Sequence, residues 1–376
     1  MVASEAGSAL SMKATLLLLK QVDRLVGRLA ASLLPRPVPR QTNSPPKSIL
    51  VIRPGGIGDA ALLAPALHAL QRSYPGVSID ILAERRNAGA FALCPGLRSV
   101  SRYDVPAEFF PVLRSSYDVV IDTEQWHRLS AVVARIVRAG IKIGFATNER
   151  RRLFTHPIPY EQDDYEADSF MRLLTPLGIR GEGEAECSFL AVPARDAELV
   201  DQLLGGLKGR RFVALFPGAS IAERRWGAER FASLAALLVQ RGIGVVVVGG
   251  ESERAAGRTV EAAGGLSLCG RTGLAATAAV IGRSALLVSG DSGILHIAVG
   301  LGIPTVSLFG PGRAKKWAPR NGYHTVINKE LPCSPCTTFG YTPKCPENAR
   351  CMADITVDEV KGAVLAVLEK IISHPK

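Results

Sequence analysis

The sequence predicts an α/β protein built from two domains, each with a parallel sheet. Its 376 residues suffice for two domains of ordinary size. Short apolar strands alternate with helical segments in both halves of the chain, a pattern typical of parallel sheets. Several strands run into glycine-containing turns that precede a helix, where backbone N–H groups are free to meet an anion or a sugar. We expect an N-terminal segment at 1–46, a first domain at 47–195 and a second at 196–376.

The N-terminal segment has a helical pattern over residues 10–34. Apolar residues recur three or four positions apart on one face: Leu18, Val22, Leu25, Leu29 and Leu33. Basic residues are interspersed: Lys13, Lys20, Arg24 and Arg28. This predicts a basic amphipathic helix on an anionic membrane surface, the alternative being a helix packed on the protein's own body or on a partner. Residues 35–46 contain five prolines and predict a linker.

Three features bear on the compartment of the protein and on its insertion in a membrane, and they favour a reducing compartment and no membrane-spanning helix. No apolar run reaches the roughly 18 residues of a membrane-spanning helix. The longest apolar run near the N-terminus, Leu16–Leu19, is shorter than the core of a signal peptide. The seven cysteines are odd in number and do not form the dense framework of a small secreted domain.

The first domain is expected to begin with a buried strand at Ser48–Arg53. A glycine-rich turn, Pro54–Asp59, follows it, and Ala60–Ser73 reads as a helix. Further strands are predicted at Val77–Leu82 and Tyr117–Asp122. The order strand, turn, helix, strand predicts that the turn lies at the carboxyl edge of a parallel sheet.

The second domain repeats this order. The predicted strands are Phe212–Phe216, Gly244–Val248, Ala285–Ser289 and Pro304–Phe309, and the predicted helices are Arg230–Arg241, one from about Ile294, and Val357–Ile372. We expect the final helix to pack back across both domains.

The first motif with chemical content is Gly55-Gly56-Ile57-Gly58-Asp59. It departs from the G-x-G-x-x-G order of a dinucleotide site and lacks the Lys-Ser/Thr ending of a P-loop. A carboxylate at this place would also repel a pyrophosphate. The loop therefore favours a site of chemistry, with Asp59 as the candidate. The alternative is that Asp59 only caps the helix.

The second motif is Pro217-Gly-Ala-Ser220 followed by Arg224-Arg225-Trp226. A turn at the end of a strand that offers N–H groups and a hydroxyl, with arginines nearby, suits a diphosphate because arginine binds phosphate with two hydrogen bonds. The alternative is a solvated, charged turn.

The third motif, Asp291-Ser-Gly-Ile-Leu-His296, lies at a predicted helix N-terminus, where backbone donors favour anions. His296 follows Ser292 by four residues and shares its helix face. The G-x-S-x-G elbow of a hydrolase is absent. The alternative for His296 is a structural role on an apolar helix.

Four cysteines near the C-terminus have metal-ligand spacing. Cys333, Cys336, Cys345 and Cys351 form a C-x2-C-x8-C-x5-C pattern. This predicts a closed structural site for zinc or iron. Free thiols or a redox-sensitive pair are the alternatives.

The charge of the chain is strongly basic, with a formal net charge of +11. This suits anionic partners in general. Aromatic residues make up only 6% and no nucleic-acid-binding signature is present, so nucleic acid is not an expected partner. Arg150 and Arg151, in a basic loop of the first domain, are candidate contacts to an anionic acceptor.

Taken together and in order, these motifs resemble the heptosyltransferase family of glycosyltransferases, family 9. The resemblance covers residues 47–370 and includes Ile49–Asp59, Pro217–Trp226 with Val247–Glu253, and Asp291–His296 running into Gly302–Pro311. It implies a GT-B fold, with two Rossmann-like domains facing across a cleft. It also implies metal-independent, inverting transfer of heptose from ADP-heptose to an inner-core lipopolysaccharide acceptor, an anionic glycolipid. Transfer of another nucleotide sugar, or to another surface glycan or a protein, is the alternative.

The resemblance also implies roles for individual residues. Asp59 would be the general base, with Gly56 and Gly58 on the acceptor side. The donor-binding residues would be Ser220, Arg224, Glu253, Leu274, Asp291, Ser292, Gly293 and His296. Ser220 and Arg224 would hold the diphosphate, Glu253 the ribose, and the backbone at Leu274 the adenine. We expect a cytoplasmic protein, peripheral on the inner face of the inner membrane.

Overall fold

The computed structural model describes residues 22–38, 44–181, 188–207, 209–338 and 341–373. Over these residues the chain forms two six-stranded parallel sheets, one in each half. Helices cover both sheets, which confirms the predicted α/β class.

The first sheet has the strand order β3-β2-β1-β4-β5-β6. Its strands are β1 Ser48–Arg53, β2 Ser78–Ala83, β3 Ser99–Arg102, β4 Ser116–Asp122, β5 Arg138–Phe145 and β6 His156–Ile158. All neighbouring pairs are parallel, and β1 lies between β2 and β4. Since the order reverses between β1 and β4, a crevice opens at their carboxyl ends, the place where ligands bind in such sheets.

The helices of the first domain are α1 Arg28–Leu33, α2 Ile57–Leu62, α3 Ala64–Ser73, α4 Pro106–Arg114, α5 Arg128–Ile136 and α6 Glu166–Arg172. The single helix predicted after the glycine-rich loop is divided into α2 and α3 at Leu63. Pro65 causes the division, because proline lacks an N–H group and is accepted only in the first turn of a helix.

The second sheet has the order β12-β11-β10-β7-β8-β9. Its strands are β7 Phe212–Phe216, β8 Gly244–Val247, β9 Leu266–Ser267, β10 Leu286–Gly290, β11 Thr305–Phe309 and β12 His324–Asn328. Here the order reverses between β7 and β10, so the second crevice lies between the loops that follow these two strands.

The helices of the second domain are α7 Ala194–Leu203, α8 Ala228–Val239, α9 Arg254–Ala262, α10 Leu274–Arg283, α11 Gly293–Gly300, α12 Ala314–Trp317, α13 Arg350–Ala353 and α14 Val357–Ser373. The buried residues of α14, Val360, Val364 and Val367, join a core whose members all belong to the second domain. The expectation that this helix packs across both domains is therefore wrong. The apolar face of α14 packs against the core of the second domain only.

The N-terminal helix packs on the first domain through its small and acidic residues. It consists of a π-helical turn at Asp23–Gly27 followed by α1. Asp23 and Ala31 are buried, whereas Leu25, Leu29 and Leu33 remain exposed. Asp23 Oδ1 accepts hydrogen bonds from the amides of Arg128 (2.7 Å) and Leu129 (2.8 Å), and so caps α5. The helix thus packs on the protein's own body and still presents the predicted leucine face. Leu18 and the rest of residues 1–21 lie outside the described part.

Within the described residues, no helix is both long and apolar enough to cross a membrane.

Candidate active site

The two crevices face each other across the domain boundary. The loop after β1 and helix α2 meet helix α11, which follows β10. A β-carbon on Gly58 would lie 2.6 Å from the ring of His296, and one on Gly293 would lie 2.8 Å from Ile57. Only glycines permit this approach. The motifs singled out in the two halves of the sequence therefore form one site.

Asp59 lies at the third position of α2 and does not cap it. The N-cap residue is Gly56, and no side chain makes the capping hydrogen bond. The alternative role for Asp59 as a helix cap is therefore excluded. Its carboxylate folds back over the loop, so a β-carbon on Gly56 would lie 2.9 Å from Asp59 Oδ2. The Asp59 side chain is 21% exposed, so the carboxylate is accessible from the cleft.

A buried arginine supports this carboxylate. Arg53 is 1% exposed and has Asp59 Oδ1 and Glu124 Oε2 each 3.6 Å from its guanidinium. Burial lowers the pKa of Arg53, but the combined attraction of Asp59, Glu124, Glu166 and Asp122 outweighs it, and the net effect is a raised pKa. Arg53 therefore stays charged and draws Asp59 toward the crevice at the end of β1.

Glu124 and Gln125 follow β4 and complete this side of the site. Gln125 Nε2 donates to Asp59 Oδ1 (3.4 Å) and also to Glu166 Oε1. Sequence reasoning missed these residues, together with Arg53 and Glu166. The signal that could have found two of them was their place directly after a buried strand beside β1, since adjacent parallel strands end at the same edge.

On the opposite side, Arg224 and Asp291 form an ion pair of 2.9 Å. Asp291 is buried and the Arg224 side chain is only 14% exposed. The neighbouring Arg225 instead turns to the carbonyl of Ala219, at 3.2 and 3.1 Å. Trp226 anchors the loop by donating to the carbonyl of Ile355 (2.8 Å). Of the two arginines, Arg224 is therefore the one that faces the crevice.

Three polar atoms in this crevice are buried and lack hydrogen-bond partners among the described residues: Nε of Arg224, Nδ1 of His296, and Oδ2 of Asp291, which contacts Arg224 only as an ion pair. Buried polar atoms are nearly always paired in folded proteins, so their pairing with a ligand is the simplest physical account. Burial lowers the pKa of His296, although the charges of Asp291 and Asp59 act in the opposite direction. His296 is therefore neutral at neutral pH.

Ser292 is the N-cap residue of α11. Its Oγ accepts from the amide of Leu295 (3.3 Å) and pairs with Ser289 Oγ (2.8 Å). Helix α11 begins at Gly293, beside this crevice, and the N-terminus of a helix favours a bound anion. Ser220 is exposed at the end of the β7 loop.

Glu253 lies over the glycines at the ends of β7 and β8. Its carboxylate accepts from the amide of Gly250 (2.9 Å) and from Ser252 Oγ (2.8 Å). A β-carbon on Gly218 would lie 2.7 Å from Glu253 Oε1. Leu274 begins α10 and is half-buried, close to Gly89 of the first domain. The proposed ribose and adenine residues therefore line the same carboxyl edge as Arg224.

Two acceptor-side expectations change. Arg150 is fully buried and forms a 2.7 Å ion pair with Asp122, whose side chain is also fully buried. Its guanidinium supports the end of β4 and is not available to an acceptor. Arg151 is exposed and retains that candidate role. Gly58, expected on the acceptor side, lies directly against the second domain.

None of the four C-terminal cysteines forms a disulfide with another described residue, and their exposure ranges from exposed Cys333 to buried Cys351. The pKa values of Cys336 and Cys351 are raised, first by burial and then by the charges of the other cysteines, so the thiols lie near one another. Among the residues that the structure describes, however, no group of three or more His, Cys, Asp or Glu is arranged to hold a metal ion. The metal site remains a prediction.

The protein has two α/β domains with facing crevices. One crevice holds a carboxylate, and the other holds an arginine that can bind an anion. This is the architecture of a nucleotide-sugar glycosyltransferase. The model of glycosyltransferase family 9 (heptosyltransferase) matches residues 108–345. The chain belongs to this family, and it is a glycosyltransferase.

Curated relatives agree with this assignment. Lipopolysaccharide heptosyltransferase 3 of Escherichia coli is 25% identical over 286 residues, which cover 70% of this chain and 83% of the relative. Lipopolysaccharide core heptosyltransferase OpsX of Haemophilus influenzae is 25% identical over 301 residues, covering 75% and 84%.

Solved structures share the fold. A glycosyltransferase of family 9 from Veillonella parvula superposes with a TM-score of 0.72 at 21% identity, covering 86% of this chain and 97% of its own. E. coli ADP-heptose lps heptosyltransferase II gives a TM-score of 0.69 at 21% identity, covering 86% and 99%. The predicted GT-B fold is thereby confirmed.

Proposed function

We propose that this protein transfers a heptose from ADP-heptose to an inner-core lipopolysaccharide acceptor, inverting the anomeric centre without a catalytic metal. Asp59 acts as the general base. ADP occupies the crevice of the second domain, with Arg224, Ser220 and the start of α11 at the diphosphate. The acceptor approaches from the first domain.

One observation carries this proposal: Asp59 lies across the cleft from Arg224, Asp291 and His296. The charge of Asp59 acts on His296, which contacts the Gly58 position directly. A donor sugar bound by the second domain would thus have its anomeric carbon between the diphosphate site and the carboxylate. Inverting displacement needs this arrangement, with a base on the side opposite the leaving group.

The surrounding charges suit each half of the reaction. Asp59 takes the proton of the acceptor hydroxyl as the oxygen–carbon bond forms and the carbon–phosphate oxygen bond breaks. Negative charge then develops on the departing ADP. Arg224 and the amides of α11 are placed to stabilise it.

The test is a transfer assay that crosses ADP-, UDP- and GDP-sugars with glycolipid acceptors and reads products by mass spectrometry. We expect product only with ADP-heptose and a lipopolysaccharide-type acceptor, and no loss of rate in EDTA. The variant Asp59→Asn should lower kcat by about 10²–10⁴-fold, the range for a lost general base, while ADP affinity stays within about twofold of the original. Thermal protection by UDP alone would refute the donor assignment.

We further propose that the leucine face of the N-terminal helix lies on an anionic membrane surface. Leu25, Leu29 and Leu33 are 72%, 61% and 74% exposed, on a helix held firmly to the first domain. Buried apolar area and nearby cations are what bind such helices to anionic lipid.

Co-sedimentation with vesicles containing anionic lipid tests this proposal. Replacing Leu25, Leu29 and Leu33 with Ser should abolish binding, whereas Phe110→Ser, at an exposed apolar residue of α4, should not. Binding that survives the triple replacement would refute it.

The cysteine cluster is the third proposed element: a structural zinc or iron held by Cys333, Cys336, Cys345 and Cys351. Metal analysis of the purified protein decides the matter. One equivalent of zinc or iron, lost in a Cys336→Ser variant, supports the site. Substoichiometric metal supports free thiols.

A further inference from the structure

Three cations of the second domain face acidic residues of the first. Arg313 pairs with Asp163 (3.1 Å), Lys316 with Glu166 (2.6 Å) and Arg320 with Asp168 (2.8 Å). The cations lie on residues 313–320, around α12, and the acids on residues 163–168, at the start of α6. These pairs cross the domain boundary beside the candidate active site.

The central pair differs from the outer two in burial. Lys316 is 5% exposed and Glu166 is fully buried, whereas the outer pairs retain much of their exposure. Exposed pairs are screened by water and salt and contribute little. The Lys316–Glu166 pair is shielded from solvent, so the attraction between its two charges is screened much less than in the outer pairs.

Lys316 makes its polar side-chain contacts with residues of the first domain. Its ammonium contacts Glu166 Oε2, the carbonyl of Asp164 (3.4 Å) and the face of Tyr160, whose centroid is 4.5 Å away. A buried ammonium with these partners acts through them rather than on a ligand.

Glu166 links Lys316 to the candidate base, Asp59, through hydrogen bonds. Its Oε2 accepts from the Tyr160 hydroxyl (3.0 Å), and its Oε1 accepts from Gln125 Nε2. The same Gln125 nitrogen is 3.4 Å from Asp59 Oδ1. Side-chain contacts are therefore continuous from Lys316 through Glu166 and Gln125 to Asp59.

At its other end, the Lys316 segment adjoins the donor crevice. It follows Gly312, whose backbone is packed so closely on the Asp291 carboxylate that no β-carbon would fit. Asp291 in turn pairs with Arg224. A ligand that engages Arg224 and Asp291 would therefore act on the loop that carries Lys316.

We propose that Lys316 is a positioning residue that couples the donor crevice of the second domain to the orientation of Asp59, through Glu166 and Gln125. The inference rests on the proposed function, because it assigns Asp59 the role of base. When the domains close over the donor, Lys316 holds Glu166, and Glu166 sets Gln125 against the Asp59 carboxylate. The base is thus aligned only when the donor domain is in place.

The test compares steady-state kinetics of Lys316→Met with those of Lys316→Arg and of Lys315→Met. Lys315 is the exposed neighbour on the same short helix and serves as the matched control. We expect Lys316→Met to lower kcat by about 10–100-fold, the range for a misaligned reacting group, with donor KM and ADP affinity within about twofold. Lys316→Arg should restore most of kcat, and Lys315→Met should leave it unchanged.

Because Lys316→Met leaves Glu166 buried without its counter-charge, the test includes a double variant, Lys316→Met with Glu166→Gln, that has neither charge. The double variant should keep the original unfolding temperature and a low kcat. An original kcat in either folded variant, or an equal loss in Lys315→Met, would overturn the coupling and leave the proposed function intact. Absence of transfer by the unaltered protein would overturn both.

Discussion

Gly58 and Gly293 meet backbone to backbone across the cleft: a β-carbon on Gly293 would lie 3.0 Å from the amide nitrogen of Gly58. The two glycines belong to the loops that carry Asp59 and the start of α11. Their contact sets how closely the carboxylate approaches the donor crevice.

A methyl group at this contact should separate the domains. We expect Gly293→Ala to lower kcat by about 10–100-fold, because displacement of reacting groups by about 1 Å has that effect, while ADP still binds. Gly362→Ala is the control, since a β-carbon there meets open space in α14. Unchanged kcat in Gly293→Ala would show that the closed contact is not needed for transfer.

Arg224 should govern donor binding. Hydrogen bonds to charged groups contribute about 1.5–3 kcal/mol, so Arg224→Met should weaken ADP binding about 10–100-fold in calorimetry. Arg224→Lys keeps the charge and should lose less. Arg225→Met removes the neighbour that bonds to Ala219 and should leave affinity nearly unchanged. Equal losses in the two Met variants would argue against a specific diphosphate contact.

His296 should make stability depend on pH. Burial lowers its pKa in the folded protein, so below about pH 6.5 the unfolded chain binds more protons than the native state. The free energy of unfolding contributed by this residue is therefore fully present above about pH 6.5, the pKa of His in an unfolded chain, and is lost as the pH falls below that value. Urea unfolding between pH 5 and 8 should show a smaller acid loss in His296→Gln. Parallel profiles would contradict the lowered pKa.

Arg150 should matter for folding, whereas Arg151 should not. Removing one partner of a buried ion pair costs about 3–5 kcal/mol, so Arg150→Met should lower the free energy of unfolding by that amount. Arg151→Met should change it by less than about 0.5 kcal/mol, as at most surface positions. Both values come from denaturant titration. A stable Arg150→Met protein with raised acceptor KM would restore the acceptor role.

The periodic signals in the sequence predicted the α/β class and seven of the twelve strands in the described residues, whereas the GT-B fold came from the family resemblance. The strand at Phe212–Phe216 was predicted at its observed bounds, and Tyr117–Asp122 differs by one residue. Edge strands such as β9 were missed because two residues carry no periodicity. The site was predictable where a glycine turn adjoins a charged residue, as at Asp59. Glu166 and Lys316 were not, because 150 positions separate them and only the meeting of the domains brings them together.

The attachment of the N-terminal helix to α5 bears on the distance between its leucine face and Asp59. Asp23 caps α5 at Arg128 and Leu129, three residues beyond Gln125, which touches Asp59. Within the described residues, the capping hydrogen bonds of Asp23 and the start of α5 therefore link the helix that carries the leucine face to the candidate base. If that face rests on lipid as proposed, Asp59 works at a fixed height above the bilayer. The enzyme would then select its acceptor by position, transferring only to hydroxyls that lie at that distance from the membrane surface.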